Sequence, residues 1–152
     1  MSHLYWHRGS RGSSSAPTAV LQGDNVAAFH GLAYDGAQYL ASASIILGID
    51  SQAGPVALNY APSNIRFSTG VDKYKPERMR INYNGIVGIG TTAPALSGTG
   101  KLHMAGDTIR IDTPRTPASG SNCYQGEIAW DSGFVYVCTA ANHWKRSALA
   151  DY

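Results

Sequence analysis

Three glycines stand at Gly85-x-x-Gly88-x-Gly90 inside ERMRINYNGIVGIGTTAP, Glu77 to Pro94, where a backbone could in principle close around a phosphate. A phosphate loop needs Gly-x-x-x-x-Gly-Lys-Ser/Thr, whose lysine reaches the phosphates, and no lysine follows Gly90. A dinucleotide fingerprint needs Gly-x-Gly-x-x-Gly running from a strand into a helix. Here the spacing is reversed, and the following TTAPALSGTG cannot open a helix with Pro94, Gly98 and Gly100 so near. The glycines are therefore predicted to serve turn geometry, and added nucleotide is predicted to leave the melting temperature unchanged.

Other chemistries find less footing. A glycosidase needs paired carboxylates in an apolar frame, and the ten Asp and Glu residues show no such pair. No Gly-x-Ser-x-Gly nucleophile elbow occurs; the nearest string is Ser-Gly-Ser-Asn at 119–122. The chain is predicted not to be an enzyme and to need no cofactor. The two cysteines, Cys123 and Cys138, are too few for a disulfide scaffold and lack the spacing of a zinc site, so they read as small core residues. His3, His7, His30, His103 and His143 are scattered, and none brings the partners a metal site requires.

Composition says what must hold these residues. With 17 glycines, nine tyrosines and only 14% charged residues in 152, the chain suits short strands joined by turns. A formal charge of +2 gives no reason to expect nucleic acid or an anionic membrane. No segment approaches the roughly 20 apolar residues needed to span a bilayer, and MSHLYWHRGSRGSSS lacks the apolar centre of a signal peptide, so a cytoplasmic origin is the default expectation.

Along the chain, RGSSSAP (Arg11–Pro17) reads as a polar turn after the aromatic run Leu4–His7. Thr18–Leu40 alternates short apolar runs with Gly-Asp and Asp-Gly punctuation, and Ile45, Leu47 and Ile49 recur at period two, which favours strands over a helix from Ala37 to Leu47. Val56, Leu58 and Tyr60 are read as one strand face, and Ile65 with Phe67 as a face of the next. Met79 and Ile81 share a face opposite Arg78, Arg80 and Asn82, and Tyr83-Asn84-Gly85 turns the chain into a hairpin. Leu102, Met104, Ile109 and Ile111 alternate with His103, Arg110 and Asp112, a thin ribbon; Thr113–Ser121 is predicted to be a linker.

The C-terminal block is predicted as two strands, Ile128–Trp130 and Phe134–Val137, around a three-residue turn Asp131-Ser132-Gly133 with Gly133 at positive φ. Pairing Trp130 with Phe134 sets Cys138 opposite Gly126, with Cys123 just beyond the strand end, near enough to bridge but out of register. Trp130, Tyr136 and Trp144 read as core aromatics of a small module, with a sugar-stacking platform as the alternative.

ERMRI, the Asn84-Gly85 turn, VGIGTT, Pro94 and KLHMAGD (101–107) together resemble a segment that recurs in tail fibre and tail spike proteins of tailed bacteriophages. The resemblance extends upstream through RGSSSAPTAVLQGDNV, GLAYDGAQYLASASI and NIRFSTG, and downstream through GSNCYQGEIAWDSGFVYVCTAANHWKRSAL, covering about Tyr5 to Leu149. It implies an all-β, intertwined homotrimeric fibre with a small C-terminal β-hairpin tip, assembled in the host cytoplasm and carried on the virion. The implied division is a β-rich fibre domain at 1–95, a stalk and linker at 96–121 and the tip at 122–152. The implied function is non-catalytic host attachment, with other tail or baseplate proteins and a host cell-surface glycan as partners. The alternatives are a non-catalytic part of a polysaccharide-depolymerase spike, or a purely structural segment.

Many relatives carry a self-cleaving helical chaperone domain after the Gly-Ile-Gly-Thr-Thr region. This chain has the hairpin module there, so assembly is expected to depend on the module or on another protein. A baseplate-docking region is not recognised at the N-terminus. Physical reasoning also favours a trimer, since short strands leave a single chain too little sheet to hide its edges. In a trimer one histidine supplies three ligands, which makes His103 the strongest single histidine, yet its alternation with Leu102 and Met104 points it outward. The reducing cytoplasm implies that Cys123 and Cys138 are free thiols. The tip is expected to meet the receptor through Asp131, Ser132, Asn142 and His143, with Tyr136, Lys145 and Arg146 offering a ring and donors.

Overall fold

The computed structural model describes residues 9–70, 75–95 and 99–151. It separates into two compact units, one ending at Asp107 and one beginning at Thr108. Every regular element among the described residues is a strand. The Leu4–His7 run and His3 lie outside the described residues.

In the first unit, β1 (Arg11–Gly12) pairs with β2 (Pro17–Thr18) around the predicted polar turn. A six-stranded sheet follows in chain order: β3 (Asn25–Tyr34), β4 (Tyr39–Ile49), β5 (Ser63–Thr69), β6 (Glu77–Ile81), β7 (Val87–Ile89) and β8 (Leu102–Met104). All neighbours are antiparallel except β7 and β8, which are parallel. The Asp35-Gly36 turn forms because Asp35 Oδ1 accepts the N–H groups of Ala37 and Gln38, both at 2.8 Å, while Gly36 takes φ 104°. At 10 and 11 residues, β3 and β4 are longer than short-strand punctuation suggested. Val56–Tyr60 is not a strand: Ala57 and Tyr60 bond each other across a turn, with Asn59 at φ 59°.

The motif glycines do serve geometry. Gly85 and Gly90 sit at φ 72° and 73°, and a Cβ on Gly88 would stand 2.8 Å from Cβ of Pro94.

The register aligns two apolar rows across all six strands. One runs Phe29, Ile45, Phe67, Met79, Ile89, Met104; the other runs Ala27, Leu47, Ile65, Ile81, Val87, Leu102. Side chains alternate between the two sides of a strand, so both rows share one face of the sheet. Apart from Ala27 no member of either row is buried, and Leu102 is 55% exposed. The opposite face carries Ser44, Asn64, Ser68 and Arg80, all buried. The chain's own loops cover it: Pro94 lies over Gly88, and Ala95 N–H donates to His103 Nδ1 at 3.1 Å. Asp50, fully buried, accepts the N–H groups of Gln52 and Tyr83.

In the second unit β9 (Ile128–Trp130), β10 (Phe134–Ala140) and β11 (His143–Ala148) form a three-stranded antiparallel sheet with β10 in the middle. Ile109 and Ile111 are not in a strand, so the alternating ribbon ends at Met104. The Pro, Gly and Ser-rich stretch from Thr113 is not a free linker. Arg115 N–H donates to the Trp130 carbonyl at 2.8 Å, Trp144 N–H donates to that of Ser119 at 3.4 Å, and Pro117 is buried.

Candidate functional site

The core of the second unit forms because alternate residues of the hairpin face inward: Ala129, Tyr136, Cys138 and Trp144 are buried together with Cys123, and Phe134 packs against them. Trp130 stands half-buried on the other face and donates Nε1–H to the Ile111 carbonyl at 2.9 Å.

The turn departs from the expected geometry by one residue. Asp131 N–H donates to the Phe134 carbonyl, which leaves Ser132 and Gly133 as a two-residue loop and pairs Trp130 with Val135 rather than with Phe134. Gly133 does not take a positive φ. The conformation is set instead by Asp131, whose Oδ1 accepts the N–H groups of Gly133 and Phe134 at 2.8 Å each. Its Oδ2 accepts the hydroxyls of Tyr136 at 2.5 Å and Thr116 at 2.9 Å. The Tyr136 hydroxyl and these backbone donors hold the Asp131 carboxyl at about 2, and the same bond raises the Tyr136 phenol above its ordinary value.

The cysteines are not free thiols: Cys123 and Cys138 form a disulfide with their Cα atoms 6.2 Å apart. Asn142 explains why. At φ 60° it turns the β10–β11 loop back, its N–H donates to the Cys123 carbonyl, and its Oδ1 accepts Cys123 N–H, both at 3.1 Å. That pair docks Cys123 against a hairpin whose register also shifts between Cys138 and Ala140.

The structure sorts the seven tip residues expected at a receptor surface. Ser132, His143, Lys145 and Arg146 are exposed, as is Asn142, although its side chain is committed to Cys123. Asp131 is partly buried and wholly engaged in its turn. Tyr136, at 2% exposure, lies in the core, so its ring is not a surface platform. Ser132 lies in the β9–β10 turn and His143 opens β11 beyond the other turn; these two are not brought together with one another. Arg146 lies opposite Tyr136 on β11, its guanidinium 4.1 Å from the centre of the Phe134 ring.

Two hollows flank these residues. One, of about 460 Å³, is lined in part by Arg115, Asn122, Tyr124, Glu127 and Asn142. The other, of about 310 Å³, lies between Pro117, Ala118 and Ser119 on one side and Tyr136, Trp144 and Arg146 on the other. Sequence reasoning missed Pro117–Ser119, since a segment rich in Pro, Gly and Ser carries no periodic signal of packing. Among the described residues no cluster of three His, Cys, Asp or Glu side chains could hold a metal.

With this geometry in place, comparison with known proteins adds one relationship. A 59-residue stretch, 39% of the chain, is 44% identical to Depolymerase 1, capsule K30/K69-specific, of Klebsiella phage K5-2. Over that stretch the chain is related to a phage protein. The stretch covers 7% of that protein's length, and no family model matches the chain.

Proposed function

We propose that this chain is a host-attachment part of a bacteriophage tail fibre or tail spike, carried on the virion, working as a homotrimer without catalysis of its own. The observation that carries the reading is the pair of apolar rows running across six strands with only Ala27 buried. A soluble chain seldom leaves so continuous an apolar face to water. Three copies turned about a common axis would bury the rows against one another and leave the second unit to meet a host glycan.

The non-catalytic assignment is supported by how the carboxylates are used. Asp24 pairs with Arg11, Glu77 with Arg80, and Asp112 with Arg110, while Asp35, Asp50 and Asp131 accept backbone N–H groups in turns. The partial match to a capsule depolymerase favours one form of this reading, in which the chain belongs to the non-catalytic portion of a spike that degrades capsule elsewhere.

Native mass spectrometry tests the assembly: a particle of three 16.2 kDa chains is expected, and a folded single chain overturns it. Attachment is read by sedimenting the purified chain with encapsulated bacteria and with capsule-free derivatives. Retention on encapsulated cells alone, with no release of reducing ends from their polysaccharide, is the expected outcome.

A further inference from the structure

Building on the attachment reading, we propose that the hollow between Pro117–Ser119 and strands β10 and β11 binds the carboxylate of an acidic sugar, with Arg146 and the indole N–H of Trp144 as donors. Trp144 is 8% exposed and its Nε1 is buried without an acceptor in the chain. Buried donors are almost always paired, and Trp144 itself lines the hollow, so a ligand entering there would bring an acceptor toward a donor the chain leaves unmet.

The rest of the wall fits the same request. Ser119 adds a hydroxyl and Arg146 a guanidinium, while none of the six lining residues is a carboxylate. An ionised carboxylate only accepts hydrogen bonds, so it suits such a wall, and a planar guanidinium can hold its two oxygens together. Asp131, which accepts the hydroxyl of the lining residue Tyr136, is already engaged by Tyr136, Thr116, Gly133 and Phe134. Stacking on Phe134 and an interaction with the Tyr136 hydroxyl keep Arg146 in place, and its five N–H donors leave others for a ligand. About 310 Å³ lies at the small end of ligand sites, with room for a single sugar's carboxylate end.

The experiment titrates the full chain with galacturonic acid oligomers, with neutral glucose oligomers and with polyglutamate, following the indole N–H resonance of Trp144 by NMR. Acidic oligomers are expected to shift that resonance saturably and neutral ones not. Arg146→Gln, an exposed change that should leave melting intact, is expected to weaken binding about tenfold, with Arg146→Lys recovering only part. Failure of acidic oligomers to move the resonance, or equal binding of them by Arg146→Gln, overturns the site. Equal binding of polyglutamate overturns the sugar assignment. If Arg146→Gln still attaches to encapsulated cells as the parent does, this site falls and the attachment reading stands; if the parent chain does not attach, both fall.

Discussion

In the unit that ends at Asp107 the apolar rows through Ile45, Leu47, Ile65 and Phe67 lie on the open side of the sheet, whereas in the unit that begins at Thr108 Phe134, Tyr136, Cys138 and Trp144 lie on the covered side. The first unit buries Ser44, Asn64, Ser68 and Arg80, with Asn64 Oδ1 and Arg80 Nη1 left unpartnered, and only small or isolated apolar residues such as Ala27, Ile49 and Ala53. The second encloses Tyr136 and Trp144 and staples the enclosure with Cys123–Cys138. Size alone would suggest the reverse, because larger units bury more of their surface and very small ones need cross-links. The difference is what the proposed assembly requires, in which the smaller unit stands by itself and the larger one shares its apolar face.

The sharpest way to break that contrast is Ile45→Asp, which puts a charge in the middle of an apolar row. Burying one isoleucine is worth about 1.5–3 kcal/mol, and a shared axis counts it in every copy. The expected result is a fall in native mass to a single chain, with loss of cooperative melting in the first unit and none in the second. Unchanged mass and melting would show that the face is solvent-directed and the contrast accidental.

The disulfide gives the next largest effect, this time on the other side of the comparison. Replacing both cysteines by alanine releases a closed stretch of 15 residues, a cost of about 3 kcal/mol by loop-closure arithmetic. Calorimetry should show the transition of the second unit moving down while that of the first stays put. Titration of the denatured, unreduced protein should find no free thiol.

How much of this was legible beforehand differs between the units in the same way. Hairpins at Asp35-Gly36 and Asn84-Gly85 could be read because turn residues act locally, and the strands around Ile45, Phe67 and Met79 because period two is written in the chain itself. That the polar side of the sheet would be the covered one was not legible, since alternation reports two faces without saying which meets the protein. In the second unit the cysteines were placed near enough to bridge, but they were expected to stay thiols because a reducing cytoplasm was assumed; the turn at Asp131–Phe134 was separately misjudged by one residue. A carboxylate holding Gly133 and Phe134 N–H selects a two-residue loop, and the residue types alone admit either length. The docking of Cys123 by Asn142 joins positions 19 apart and leaves no periodic trace.

Acid probes the same turn. The Asp131 carboxyl is held at about 2, below its ordinary 3.8, so the folded state favours its charged form. Its contribution is present in full above the ordinary value and is lost as pH falls toward about 2. The second unit should therefore lose stability across that interval, and Asp131→Asn should flatten the profile there when melting is followed against pH. Asn142→Ala should cost about 1–2 kcal/mol, because alanine is strained at φ 60° and leaves Cys123 N–H without its acceptor. Asn142→Gly, which removes the strain but not the lost bond, should recover part of that in the same urea titration.

The smallest effect is expected at Lys145, and its position makes it informative. Lys145 pairs with Val137, which in turn pairs with Ile128, so it stands on the face of the tip sheet opposite Trp144 and Arg146. Ile128 on that face is 62% exposed, so it is open enough to compete for the role of attachment surface. Lys145 makes no close ion pair among the described residues, and Lys145→Ala should change stability by no more than about 0.5 kcal/mol, as exposed substitutions usually do. If the attachment surface lies on the Arg146 side, retention of the chain on encapsulated cells should be the same for Lys145→Ala as for the parent, measured at equal concentration and salt. Loss of retention with Lys145→Ala and its preservation in Arg146→Gln would move the surface to the Ile128 face, and would make the tip, like the sheet before it, a unit that works through its open apolar side.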